Sequence, residues 1–210
     1  MKILDDFFYQ RDVQSVAQDL IGKRLVRFMN GQRISGIINE TEAYDGESDL
    51  ACHASHGKSR RNAVMYGEAG KAYVYFTYGM HWMLNCVAGV RGYPAAVLIR
   101  SILPEEGADF INRNRAPIKK KHWTDGPAKL TKALSITGEL NGALLTSVES
   151  GLWIEDSIGF PPASIQRTPR IGIQNTPEPW LSKPWRFFVQ IRQIDGKKDI
   201  ISAEMERTRE

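Results

Sequence analysis

Asn30-Gly31 stands between two runs of β-branched and alternating residues, 23–28 and 33–39, and this arrangement limits the fold more than any other feature of the chain. So short a connection joins only antiparallel strands, and an Asn-Gly pair supplies the positive φ that tight hairpin turns require. The pattern recurs downstream. Runs 72–77 and 82–88 meet through Tyr78-Gly79-Met80-His81, and a third run, 95–102, follows Gly92-Tyr93-Pro94, which predicts a three-stranded meander. Val13, Val16, Ala17, Leu20 and Ile21 recur at helical spacing and predict an amphipathic helix over 11–21. Pro104 is expected to open a short helix, and Asp125-Gly126-Pro127 a second one that runs to about 136. Short strands are expected at 152–155 and 187–192. Residues 45–70, rich in Gly, Ser, His and charge, read as an irregular surface segment of the kind that often carries function. Strands joined by hairpins rather than by long helices favour an α+β fold over a doubly wound one. The expectation is a single domain over 1–210, with a curved, mostly antiparallel β-sheet and flanking helices.

Charge narrows the partners only slightly. The 28 Lys and Arg against 24 Asp and Glu leave a net charge of +4, which leans toward a polyanion. No apolar run approaches the roughly 18 to 20 residues of a membrane span, and Met-Lys-Ile-Leu-Asp-Asp lacks the apolar centre of an export signal, so a cytoplasmic protein without membrane contact is expected. Cys52 and Cys86 are too few for a disulfide framework and lack the paired spacing of a zinc site.

Four groups of residues could carry chemistry. Glu40, Glu42 and Tyr44 fall at i, i+2 and i+4, on one face of an extended strand; this suits a hydrolytic carboxylate beside an aromatic, or simply a solvent-facing strand edge, and periodicity does not choose between Glu40 and Glu42. Tyr73, Tyr75, Tyr78, Met80, His81 and Trp82 load one hairpin with large side chains. They would either fold back into a core or form a wedge and stacking platform for a nucleic-acid base. Lys58, Arg60 and Arg61, and the acid-free run of Arg113, Arg115, Lys119, Lys120, Lys121 and His122, could neutralise phosphates. His53 and His56 lie near Glu40, Glu42, Asp45, Glu47 and Asp49 but match no standard metal-ligand spacing, so no metal and no cofactor is expected. A metal-dependent nuclease and a non-catalytic module for distorted DNA remain as alternatives.

Glu40-Thr41-Glu42-Ala43-Tyr44, His53, Arg61-Asn62, Tyr73-Val74-Tyr75, Tyr78-Gly79-Met80, Asn85 and Leu98-Ile99-Arg100, in that order, resemble the 3-methyladenine (alkyladenine) DNA glycosylase family. Gly126-Pro127-Ala128-Lys129-Leu130, Thr168-Pro169-Arg170-Ile171-Gly172 and Lys183-Pro184-Trp185-Arg186-Phe187 extend the resemblance over nearly the whole chain. It implies a monofunctional enzyme that excises alkylated or deaminated purines from double-stranded DNA, with a protruding β-hairpin that probes the minor groove; a monomer is the default expectation. By matching positions it implies that Glu42 is the general base, that Arg100 helps hold the water or a phosphate, and that Tyr44 and Tyr75 sandwich the extruded base. His53 and Asn85 would contact that base, Tyr78 with Met80 and His81 would enter the duplex, and Arg60, Arg61 and Lys129 would meet its backbone. A positively charged methylpurine between two aromatic faces would gain from the ring quadrupoles.

Overall fold

Every strand pairing in the computed structural model is antiparallel, within the residues it describes, 2–157, 160–194 and 197–201. Two short helices, α1 (Asp6–Tyr9) and α2 (Val13–Asp19), open the chain. Asp12 caps α2 by accepting from the Gln14 and Ser15 amides, and Val13, Val16, Ala17, Leu20 and Ile21 are all buried, the face that helical spacing predicts. Each of the valine, leucine and isoleucine side chains contributes about 1.5–3 kcal/mol relative to exposure. Strand β1 (Arg24–Met29) turns at Asn30 and Gly31, with φ of 52° and 71°, into β2 (Gln32–Asp45). The strand of 33–39 and the Glu40–Tyr44 segment are thus one continuous element.

The meander follows as β3 (Ala72–Thr77), β4 (His81–Ala88) and β5 (Ala95–Glu106), and β6 (Leu152–Glu155), β7 (Gln166–Thr168) and β8 (Arg186–Phe188) complete the main sheet. Its order is β3-β4-β5-β2-β1-β6, with β8 pairing both β2 and β7. Strands β9 (Gln190–Ile194) and β10 (Lys197–Ile201) form a separate hairpin, so the run expected at 187–192 is divided between β8 and β9. Helices α3 (Ala108–Arg115) and α4 (Pro127–Ala133) complete the α+β arrangement. Among the described residues no helix is long and apolar enough to cross a membrane.

Three expectations need correction. Pro104 opens no helix: it lies within β5, opposite Gly36, near the end of that strand, where a missing N–H costs little. The helix begins at Ala108, after Gly107 takes a left-handed φ of 75°. Residues 45–70 are irregular but not merely a surface loop, because Asp49, Cys52, Ala54 and Met65 are buried. Arg115 is likewise buried and donates to the His122 carbonyl at 3.3 Å, which takes it out of any phosphate-binding run.

Side-chain alternation divides the sheet into two faces. Val74, Leu84, Cys86, Val97, Ile99 and Ala43 join the core beneath α2 and α4. Tyr73, Val87 and Ala96 point the other way, into a second cluster with Cys52, Ala54 and Met65, against which Tyr44 and Tyr75 pack. That second face carries the site.

Candidate active site

One row of side chains crosses the sheet. Arg186 on β8 opposes Glu42 on β2, Glu42 opposes Leu98 on β5, Leu98 opposes Asn85 on β4, and Asn85 opposes Tyr73 on β3. Thr41 and Ala43 face the helices, with the Thr41 hydroxyl on the Ala17 carbonyl at 2.7 Å, so Glu42 and Tyr44 are directed to the opposite face. On that face lies a cavity of about 310 Å³. Its walls include Tyr44, His53, Tyr73, Tyr75, Tyr78, Asn85, Arg100 and the Ile171–Gly172–Ile173 turn. Aromatic walls with a few convergent polar groups are what a flat, polar-edged ligand requires.

Glu42 is completely buried, and three groups hold its carboxylate. Ile171 N–H donates to Oε1 at 2.7 Å, the Tyr44 hydroxyl donates to Oε2 at 2.9 Å, and Arg100 Nη1 lies 3.2 Å from Oε2. A carboxylate offers about four acceptor positions, so the second position on Oε1 is left for one further donor such as water. All three partners line the cavity, so the carboxylate lies directly behind its wall. Burial pushes the Glu42 carboxyl above the ordinary glutamate range, against the Arg100 charge, the Ile171 N–H and the Tyr44 hydroxyl, which pull it down. The side chain is therefore a more basic carboxylate than one in water.

Glu40 has a different environment. Its Oε1 accepts from both Arg100 Nε and Arg186 Nε, each at 2.7 Å, so two guanidinium groups neutralise it. Arg100 reaches both acids because β5 bulges there. Glu40 pairs with Ser101 and Thr41 with Ile99, which leaves Arg100 as the extra residue, and a compensating extra residue, Asn39, lies between Ile38 and Glu40.

His53 accepts or donates at Nδ1 to the Tyr73 hydroxyl at 2.9 Å and meets the Tyr75 ring edge-on, with centroids 4.5 Å apart. Burial, and secondarily Arg61, drives its pKa down to about 4, so the ring is neutral at pH 7. Asn85 Nδ2 donates to the Tyr73 carbonyl at 3.1 Å, which fixes the amide on the cavity wall. The tyrosine stripe divides: Tyr73 is 1% exposed and Tyr78 is 79% exposed. Tyr78 and Gly79, with φ of 52° and 67°, make the turn between β3 and β4, and Met80 beside them is 67% exposed. His81 begins β4 and is also exposed. Arg60 and Arg61 are exposed near this hairpin, and Lys129 on α4 pairs with Asp125 at 2.9 Å.

Sequence reasoning took Arg170, Ile171 and Arg186 only as parts of motifs, and Asp49 only as one of the acids near His53 and His56, with no role assigned to any of them. Arg170 and Asp49 form a fully buried ion pair behind Tyr44. No periodic signal marks such a pair, since each residue by itself reads as a loop charge. The structure also changes the stacking argument. Arg170 stacks 4.7 Å from the Tyr44 ring centre and Arg61 4.9 Å from that of Tyr75, and neither arginine lines the cavity. Each of these two rings thus carries a guanidinium on one face.

A family model described as methylpurine-DNA glycosylase matches residues 7–193. Curated relatives named "Putative 3-methyladenine DNA glycosylase" match over most of their length. The protein of Methanocella arvoryzae is 47% identical, covering 90% of this chain and 92% of its own, and that of Carboxydothermus hydrogenoformans is 44% identical, covering 91% and 97%. The protein of Bacillus subtilis is 41% identical, covering 87% and 90%.

Proposed function

The chain belongs to the methylpurine-DNA glycosylase family, and from that premise we propose that this DNA glycosylase flips alkylated purines out of duplex DNA and hydrolyses their N-glycosidic bond with a water activated by Glu42. The substrates are 3-methyladenine and 7-methylguanine, with the neutral lesions hypoxanthine and ethenoadenine as a second class. One observation carries the reading: a buried carboxylate whose three partners, Tyr44, Arg100 and Ile171, all line an aromatic cavity of about 310 Å³.

Tyr44 and Tyr75 form the plates for the extruded base, and His53 and Asn85 meet its edge. Tyr78, with Met80 and His81, enters the duplex at the vacated position. Extrusion costs on the order of a few kcal/mol, and less for a damaged or mispaired base. Arg60, Arg61 and Lys129 meet backbone phosphates. The water bound to Glu42 attacks C1′ of the sugar, and its proton passes to the carboxylate. The C1′–N9 bond breaks, and its electron pair leaves with the purine. A cationic methylpurine departs neutral, whereas a neutral lesion must gain a proton as it leaves. Glu42 also stabilises the positive charge that builds on the sugar, so one carboxylate serves both roles. No lysine is among the described cavity-lining residues, which supports simple hydrolysis over an amine-linked lyase reaction.

The test is base release from duplexes that carry one of the four lesions, with chelator present. Free purine and an intact abasic strand are expected. Strand scission that the chelator stops would overturn the reading in favour of a metal nuclease, and tight binding without release would favour a recognition module.

A further inference from the structure

Asp49 and Arg170 lie 121 residues apart in sequence, and their side chains are entirely shielded from solvent. Arg170 Nη1 donates to Asp49 Oδ2 at 2.5 Å and Nη2 to Oδ1 at 2.9 Å, a parallel fork. The Asp45 amide donates to Oδ2 at 3.1 Å and the Ala51 amide to Oδ1 at 3.0 Å, so all four acceptor positions of Asp49 are filled. Arg170 also donates to the Ala43 carbonyl at 2.9 Å and stacks between Tyr44 and Trp185, at 4.7 and 5.1 Å from their ring centres.

Burying two charges carries a desolvation penalty that apolar residues of the same size would avoid. What this pair delivers is position. Three parts of the cavity meet on it: the Tyr44 plate rests on the guanidinium, Asp49 orders the turn that leads into Cys52 and His53, and the residue after Arg170 is Ile171, whose N–H holds Glu42 Oε1 at 2.7 Å. We propose that the Asp49–Arg170 pair is a positioning device for catalysis, setting the Tyr44 plate and the Ile171 N–H against Glu42. The proposal rests on the reading of Glu42 as the base. The charged and titratable groups around that base are Glu40 and Tyr44 on its own strand, Arg100 on β5, Arg186 on β8 and Tyr75 on β3.

Arg170→Lys keeps the charge and removes the fork and the planar stack. Misplacing the carboxylate by even about 1 Å should lower kcat about 10- to 100-fold. KM should rise only a few-fold as the Tyr44 plate shifts, so that the larger part of the loss falls on kcat. Withdrawing the Ile171 N–H removes a group that lowers the Glu42 pKa, so the acid limb of kcat/KM should move to higher pH. Ile171→Pro deletes that N–H at a half-exposed site and should reproduce the limb shift, with a melt recorded alongside to establish that the variant is folded. A purely structural pair would change melting and leave the limb where it is. Wild-type kcat and an unmoved limb in folded Arg170→Lys would overturn the proposal. If melting shows Arg170→Lys unfolded, an unmoved limb in Ile171→Pro overturns it instead. Glu42→Gln, assayed alongside, separates the two readings: retained excision in that variant defeats the assignment of the base itself.

Discussion

Arg100 Nη1 lies 3.2 Å from Oε2 of Glu42, while the same guanidinium gives its Nε to Glu40 at 2.7 Å. The two acids of the Glu40–Glu42 pair are therefore unequal. Glu40 is held by two arginines on one oxygen, whereas the partners of Glu42, Tyr44, Arg100 and Ile171, all line the cavity. Glu42→Gln should lower the rate of base excision by about 10²- to 10⁴-fold, the usual contribution of a general base, and should leave lesion binding in place. Glu40→Gln should cost about tenfold, because it loosens Arg100 without removing the base. Single-turnover release from a 7-methylguanine duplex measures both. A dead Glu40→Gln beside an active Glu42→Gln would reverse the roles.

The raised pKa of Glu42 has consequences for stability as well as rate. A carboxyl whose folded pKa exceeds its unfolded value binds more protons in the native state within the interval between the two, so stability falls as pH rises through it. Above the interval the protein carries the full cost of a buried charge. Glu42→Gln removes that cost, so at pH 7 it should melt higher than wild type, by roughly 2–4 °C if the gain is about 1 kcal/mol. The difference should shrink at acid pH. Thermal melts across that range check the sign, and a variant less stable at pH 7 would show that the Arg100 pairing outweighs the desolvation.

His53 responds in the opposite sense. Its pKa falls from 6.5 to about 4 on folding, so its contribution to stability is fully present above pH 6.5 and is lost as pH drops toward 4. His53→Gln should flatten this part of the stability curve, and an NMR titration of the imidazole should show no protonation at pH 6. Protonation near pH 6.5 would mean that the ring is wetter than its surroundings indicate.

Turn chemistry made most of the sheet legible. Asn30-Gly31 and Tyr78-Gly79 lie where the chain must reverse, and the strands on either side follow from alternation. Pro104 misled because proline at a helix start and proline near a strand end share the same φ, and only its pairing with Gly36 distinguishes them. The choice between Glu40 and Glu42 could not be made from alternation, since both occupy one face. It depends on a one-residue bulge at Arg100, on Arg186 and on Ile171, which are 60, 146 and 129 residues away from the acids they touch. Asp49 and Arg170 were hidden for the same reason. Local pattern reports which face a residue takes and says nothing of a partner more than a hundred residues distant.

Tyr78 is exposed and supported only by its turn, so its side chain adds little to the free protein. Tyr78→Ala should leave the melting temperature within about 2 °C of wild type, as expected for a surface substitution. It should weaken binding to lesion duplex by about 1–3 kcal/mol, the loss of one base–aromatic stack. Electrophoretic or fluorescence binding in the Glu42→Gln background isolates this step from chemistry. Unchanged affinity would exclude Tyr78 as the side chain that fills the gap.

The last prediction concerns how the cavity tells charged purines from neutral ones. Aromatic plates attract a cationic ring through their quadrupole, but a cation already stacked on the far face depletes that attraction. Tyr75 carries Arg61 at 4.9 Å and Tyr44 carries Arg170 at 4.7 Å. Stacking alone should then give cationic methylpurines little advantage in binding. Their faster excision would come from the bond, since a purine that leaves as a neutral molecule needs no added proton. Removing one backing charge should restore part of the binding preference. Arg61 is exposed, so Arg61→Gln tests this without disturbing the buried Asp49–Arg170 pair. In the Glu42→Gln background, its affinity for 7-methylguanine duplex relative to hypoxanthine duplex should rise about three- to fivefold, what 0.5–1 kcal/mol of recovered cation–π attraction provides. Because Arg61 also lies where a phosphate contact is expected, absolute affinity for both duplexes should fall together with added salt dependence lost, and only the ratio reports on stacking. A ratio that stays fixed while both affinities fall would assign Arg61 to the DNA backbone alone and leave discrimination to the chemistry of the leaving group.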